Sequence, residues 1–159
     1  MLIKVVKMST AKLRNLLDQE HIRYITIQHS PAYTAQEIAA SAHIPGKELA
    51  KTVIAKINKK LSMLVLPASY KVHLKLLSET LGTKNVELVP ESEFENAFPE
   101  CELGAMPPFG NLYDMDTYVD KSLEEDEEIA FNAGNHSELI KLAYKDYVRI
   151  AKPEVISFT

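Results

Sequence analysis

The sequence predicts one α+β domain over residues 1–159, on three observations. Its 159 residues, 46% hydrophobic and 25% charged, have the size and composition of a globular domain with a full core. Stretches that read as strands, by alternation or as short apolar runs, are interspersed with stretches carrying an apolar stripe at helical spacing. No repeat, linker or low-complexity segment divides the chain.

Taken in order, Ser9 is placed to cap a helix with the inner stripe Leu13, Leu16 and Leu17, ending near His21. "RYITIQ" alternates and reads as a strand, which "HSP" breaks. Thr34 and Glu37 form a capping box for a second helix through Ala40. "IPGKELAK" is a turn containing Pro45 and Gly46. "TVIAKI" and "LSMLVLPA" flank Asn58, Lys59 and Lys60 as a hairpin, and the second strand is apolar enough for the middle of a sheet. Leu74, Leu77 and Leu81 share a helical face that Gly82 ends. "VELVP" reads as a short strand and "ESEFENAF" as a short helix. "TYVDKSL" and "EEIAFNAG" read as strands joined by a solvated acidic turn, "EEDEE". "SELIKLAYKDYVRI" predicts a helix bearing Leu139, Leu142 and Ala143, and "EVISF" closes the chain as an edge strand.

Composition excludes several functions. A net charge of -4 argues against a broad basic clamp for nucleic acid, while leaving room for a small pocket that grips one end of an RNA. One cysteine, Cys101, provides no disulfide partner and suits a reducing cytosol. The opening "MLIKVVKMST" is too short an apolar run for a signal peptide, and no later run spans a bilayer, so a cytoplasmic location is expected. His21, His29, His43, His73 and His136 show no metal-ligand spacing, and no metal is expected. Oligomeric state leaves no mark in the sequence.

Three stretches are candidates for chemistry. Lys51 opens a predicted strand after a glycine turn, and reads either as a solvated strand-end lysine or as an anchor for phosphate or carboxylate. "GAMPPFG", Gly104 to Gly110, is either a rigid connection or a backbone wall shaped to approach a ligand. "NAGNH", Asn132 to His136, lies where a strand is predicted to give way to a helix, and Gly134 would let amides face an anion there. Nucleophile chemistry is poorly supported. Cys101 in "PECEL" has acidic neighbours that raise a thiol pKa, no G-x-S-x-G elbow is present, and "IPGKELAKT" lacks phosphate-loop spacing.

Together, "HSPAYTAQEIAA", "KELAKTVIAK", "GAMPPFGNLYD" and "FNAGNHSELIKL" resemble, in this order, the YbaK/EbsC family, also called the prolyl-tRNA synthetase-associated domain. The resemblance runs from about Ser9 to Phe158, with the lysine-threonine strand start and the G-x-x-x-P loop, Gly104 to Pro108, as its most specific marks. It implies a central, mostly antiparallel twisted sheet resembling a six-stranded barrel and flanked by helices. It also implies trans-editing, the hydrolysis of the ester joining a wrong amino acid to the 3′ end of a tRNA, with no cofactor.

By the same resemblance, Lys51 lies near the terminal adenosine, the Gly104 loop shapes the aminoacyl pocket with its backbone, and His136 faces the same cleft. These three are the expected catalytic set. His29, Thr52, Met106 and Pro108 are expected to bind substrate, as are Phe109, Gly110, Gly134 and Asn135. The branch of the family acting on cysteinyl-tRNA has a tyrosine where this chain has Ile27 and lacks the histidine matching His136, which argues against a cysteinyl substrate. An aminoacyl ester is already activated, so a positioned water and an oxyanion donor suffice without a covalent nucleophile. The alternatives are a non-catalytic binder of the tRNA acceptor end or of oligonucleotides, and a cysteine-dependent hydrolase of small esters.

Overall fold

The computed structural model describes residues 2–30, 35–42 and 44–159. Helix α1 spans Leu2–Gln19 and buries Leu13 and Leu17 completely. It begins upstream of Ser9, which therefore lies inside it. Serine costs little in a helix interior, so a capping residue type alone does not fix a start. Strand β1 (Tyr24–Gln28) and helix α2 (Ala35–Ala42) follow. Thr34, the expected partner of Glu37 in a capping box, lies outside the described residues.

The hairpin is the centre of the larger sheet. Strands β2 (Ala50–Ile57) and β3 (Lys60–Pro67) pair from Ala50 with Pro67 to Ile57 with Lys60. Asn58 and Lys59 turn the chain with φ of 51° and 69°, the two left-handed residues of a tight hairpin loop. Helix α3 (Leu74–Leu81) starts with His73 accepting from the Leu76 amide and ends on Gly82 at φ 69°. Strand β4 (Val86–Leu88), helix α4 (Glu91–Phe94) and strand β5 (Asp116–Asp120) come next. Strands β6 (Glu128–Asn132) and β7 (Glu138–Ala143) form a second hairpin, and helix α5 (Tyr144–Ala151) and strand β8 (Glu154–Ile156) complete the chain.

The expected helix over "SELIKLAYKDYVRI" is thus half strand. Strand β7 is the middle of a three-stranded antiparallel sheet, β1-β7-β6, and pairs on both sides. Leu139, Ile140 and Leu142 are all buried, so the run loses its alternation and mimics a helical stripe. The acidic connection also differs from expectation. It carries a 3₁₀ turn, Lys121–Glu125, and its Asp126 is only 8% exposed.

The second sheet has the order β4-β2-β3-β5-β8, with β3 at its centre. Among the described residues four of the six ladders are antiparallel, and β5 pairs in parallel with β3 and β8. The expected barrel-like closure does not occur. The two sheets meet at a parallel bridge between Leu49 and Ala130, where the Ala130 amide donates to the Glu48 carbonyl at 2.9 Å. One core lies between α1 and both sheets and includes Ile54, Met63, Val65, Phe131 and Tyr147. Another packs Leu77 of α3 with Leu64, Leu66 and Phe158, which is why β3 is apolar on both faces. The buried Asp120 carboxylate accepts from the Phe158 amide at 2.8 Å and fixes the last residues to the sheet.

Candidate active site

The seam between the sheets leaves a cleft. Its volume is about 150 Å³, and among the described residues its lining comes from five parts of the chain: Ile38 of α2; Leu49, Ala50, Lys51 and Thr52 entering β2; Ala68 after β3; Gly104; and Asn132 at the end of β6. A larger hollow of about 530 Å³ lies between Lys56, Lys59 and Lys84 at the other end of β2, but its Lys56 ammonium is engaged by Glu93 at 2.9 Å.

Lys51 is half-buried and held by strand pairing opposite Leu66. Burial, and secondarily the ammonium of Lys71, lower its pKa below the ordinary lysine value. A cation held at a cost in this way favours an incoming anion, because a phosphate relieves both the desolvation and the repulsion.

The Gly104 loop reaches the cleft through one residue. Gly104 is exposed at φ 83°, in the left-handed region, whereas residues 105–110 are all buried. Its amide donates to the Met106 sulfur at 3.3 Å, and the Ala105 amide donates to the Glu102 carbonyl at 3.1 Å. Pro108 belongs to the buried run. Phe109 is fully buried, with ring centroids 5.5 Å from Phe131 and 5.3 Å from Tyr147. The Gly110 amide donates to the Thr117 hydroxyl at 3.0 Å, and a side chain there would run into that hydroxyl and the Met115 carbonyl. The buried part of the loop is therefore a plinth that presents Gly104.

His136 works from behind. It lies in the β6–β7 hairpin turn, not at a helix start, and is 8% exposed. Its Nε2 is 2.8 Å from the Leu103 carbonyl oxygen, so that nitrogen carries a proton and donates. The Glu102 carboxylate lies 3.9 Å from the same nitrogen. The Glu102 amide donates to the Gly134 carbonyl at 2.9 Å, which ties the loop to the hairpin turn a second time. A Cβ on Gly104 would sit 3.5 Å from the His136 ring.

The remaining expected positions shape this turn. Gly134 supplies φ 108°, and Asn135, 1% exposed, accepts from the Ser137 amide and hydroxyl at 2.9 and 3.0 Å. The His29 amide donates to the Ser137 carbonyl at 2.9 Å, and its Nδ1 donates to the Ser30 carbonyl at 2.8 Å. Of the expected residues, the structure brings Lys51, Thr52 and Gly104 to the cleft and sets His136 and Met106 against Gly104. It places the others in support.

Cys101 is half-buried, with its sulfur 3.2 Å from the Tyr113 hydroxyl. Burial raises its pKa, with Glu100 adding to the rise and the Tyr113 hydrogen bond opposing it. A protonated thiol of this kind is a poor nucleophile.

Sequence reasoning missed Asn132, Ile38 and Ala68 at the cleft. Asn132 stands at the head of "NAGNH", but only the position of the β6 end against β2 gives it a role.

The fold is thus two sheets that meet at a cleft, with Lys51 and the left-handed Gly104 at its wall. Residues 29–150 match the aminoacyl-tRNA editing domain family, and the chain belongs to that family. It is 27% identical over 152 residues to the multifunctional Ser/Thr-tRNA deacylase ProXp-y of Escherichia coli strain K12, covering 92% of this chain and 90% of that one. It is 25% identical over 142 residues to the prolyl-tRNA editing protein ProX of Acetoanaerobium sticklandii, covering 86% of each. Its fold matches the crystal structure of a candidate trans-editing enzyme for prolyl-tRNA synthetase with a TM-score of 0.80, at 16% identity and over 95% and 96% of the two chains.

Proposed function

We propose that this chain is a cytoplasmic trans-editing hydrolase, one editing domain that removes a small amino acid from mischarged tRNA. The observation that carries the reading is the cleft, about 150 Å³ in volume, with Lys51 and Gly104 on its wall. Such a space accepts a guest of roughly six heavy atoms, the size of benzene. That fits a whole aminoacyl group as small as seryl, whereas a whole phenylalanyl group, at roughly eleven heavy atoms, exceeds it.

Lys51 pairs with a phosphate of the RNA 3′ end and anchors the acceptor terminus at the cleft mouth. The ester carbonyl lies against Gly104. A thioether is a weak acceptor, so the Gly104 amide is readily given up by Met106 to an oxygen that gains negative charge. His136 is a positioning residue, since its proton goes to the Leu103 carbonyl and it holds the loop at the height the carbonyl needs. A water oxygen bonds to the ester carbon, the bond from that carbon to the ribose oxygen breaks, and the ribose oxygen takes a proton. The products are free amino acid and intact tRNA. Because the ester is activated, alignment and one oxyanion donor supply the rate, a donor being worth roughly 10²–10³-fold.

A deacylation screen against tRNAs mischarged with serine, threonine, alanine, proline and phenylalanine tests this. Release of the small amino acids and not of phenylalanine is expected. Retention of every ester, with tight binding of the acceptor stem, would replace the hydrolase by a binding protein.

A further inference from the structure

The chain leaves the cleft wall at Ala68 and turns into α3. The Ala68 amide donates to the Leu49 carbonyl at 2.7 Å, and the Tyr70 amide to the Pro67 carbonyl at 2.9 Å. Further on, the His73 amide donates to the Phe158 carbonyl at 2.7 Å, and the His73 Nδ1 accepts from the Leu76 amide at 3.0 Å. The turn is therefore fixed at both ends. On it stand Tyr70, 43% exposed, and Leu74, 38% exposed, each followed by an exposed lysine, Lys71 and Lys75. Neither lysine forms an ion pair among the described residues.

We propose that Tyr70, Lys71, Leu74 and Lys75 form the docking surface for the unpaired 3′ strand of the RNA that carries the amino acid. Tyr70 stacks on a base that precedes the terminal nucleotide, Leu74 packs against ribose, and Lys71 and Lys75 pair with the phosphates of that strand. This rests on the editing reading and extends the site from the aminoacyl group to the strand that bears it.

Position, charge and side-chain type all favour this occupant. Ala68 lines the cleft just before Tyr70, and the Lys71 ammonium is near enough to that of Lys51 to lower its pKa. A strand whose terminal phosphate sits on Lys51 thus meets Lys71 next. Although the chain has a net charge of -4, the stretch from Lys51 to Lys84 holds seven lysines and one acidic residue, Glu79. The acidic excess lies elsewhere, so a polyanion is drawn to this part of the molecule. Tyr70 then selects the kind of polyanion. An exposed ring can stack on any unpaired base, whereas a duplex buries its base faces and an acidic peptide has none. Because the backbone of the turn is already fixed, docking orders little of the protein.

The test measures binding of two non-hydrolysable probes to the full chain. One is adenosine 5′-monophosphate with alanine in amide linkage at its 3′ position, and the other is the 5′-phosphorylated trinucleotide CCA ending in the same amide. Wild type should bind the trinucleotide roughly tenfold or more tightly than the mononucleotide. Tyr70→Ala should lose roughly tenfold for the trinucleotide and nothing for the mononucleotide. Lys71→Gln and Lys75→Gln should each reduce the slope of log affinity against log salt by roughly 0.7. Tyr70→Trp gives a tryptophan to a chain that has none, and its emission should be quenched by the trinucleotide but not by the mononucleotide. Equal affinity of wild type for the two probes overturns the proposal, as does a Tyr70→Ala protein that binds the trinucleotide like wild type. Equally tight binding of an oligoglutamate peptide also overturns it, and would make the surface a dock for an acidic protein. The probes report binding alone, so a chain that shows the expected pattern yet hydrolyses no ester would refute the catalytic reading and leave the docking surface in place. Thermal midpoints identify a variant that fails to fold, and the Tyr70→Trp emission then decides.

Discussion

Replacing Gly104 by alanine separates the loop's role in substrate contact from its role in folding. At φ 83° a residue with a Cβ is strained, by about 1–2 kcal/mol. The added methyl meets the His136 ring at 3.5 Å, an ordinary contact, so no collision adds to the strain. In a chain of this length the cost lowers Tm by roughly 2–8 °C, which leaves a domain of ordinary stability folded at 25 °C. Activity should fall much further. The methyl stands on the one loop residue that reaches the cleft and displaces the ester from the Gly104 amide. A misplacement of this kind costs up to about 10²-fold, so kcat/KM for a small aminoacyl ester should drop roughly ten- to a hundredfold, with any residual preference shifted to the smaller amino acid. Single-turnover deacylation at 25 °C beside a thermal melt reads both quantities. A variant that melts lower but hydrolyses at the parent rate would refute substrate contact at Gly104. A loss that disappears on cooling, in step with the folded fraction, would make the residue structural.

Further outcomes follow from the same geometry. Lys51→Ala should lose one charge-assisted contact, about 1.5–3 kcal/mol or roughly ten- to a hundredfold in kcat/KM, and Lys51→Arg should recover only part of it. The unliganded protein carries the opposite sign. With the folded Lys51 pKa lowered below its unfolded value, the unfolded chain binds more protons between those values, so stability should rise with pH through that alkaline window. Lys51→Met should remove this rise in denaturant titrations and leave the protein no less stable at neutral pH. Cys101→Ala should deacylate within a few-fold of the parent, and trapping of an aminoacyl group on that sulfur would overturn the water mechanism. Gly110→Ala should be the damaging loop change, losing roughly 2–4 kcal/mol in chemical denaturation through its clash with Thr117 and the Met115 carbonyl. Binding of tRNA should depend shallowly on salt, with a slope equivalent to about two to four phosphate contacts, and a steeper one would reveal a wider RNA surface.

By itself the sequence determined what local chemistry controls. The β2–β3 hairpin, the α3 helix with its glycine end and the central position of β3 follow from apolar pattern and turn residues. The motifs likewise pointed to the family, and residues 29–150 match it. Tertiary structure decided the rest, because pairing partners far apart in the chain override local pattern. Burial on both sides turned Glu138–Ala143 from an expected helix into the middle strand of a sheet, and with it moved His136 from a helix start to a hairpin turn. Closure into a barrel is a property of how sheet edges meet, and here the bridge between Leu49 and Ala130 joins the two sheets instead. The same seam makes the cleft. It separated the loop into one exposed glycine and a buried plinth, and it brought Asn132, far along the chain from Lys51, to the same wall. Sequence names residue types, but exposure and convergence are set by packing, and those two quantities decide which polar atoms meet a substrate.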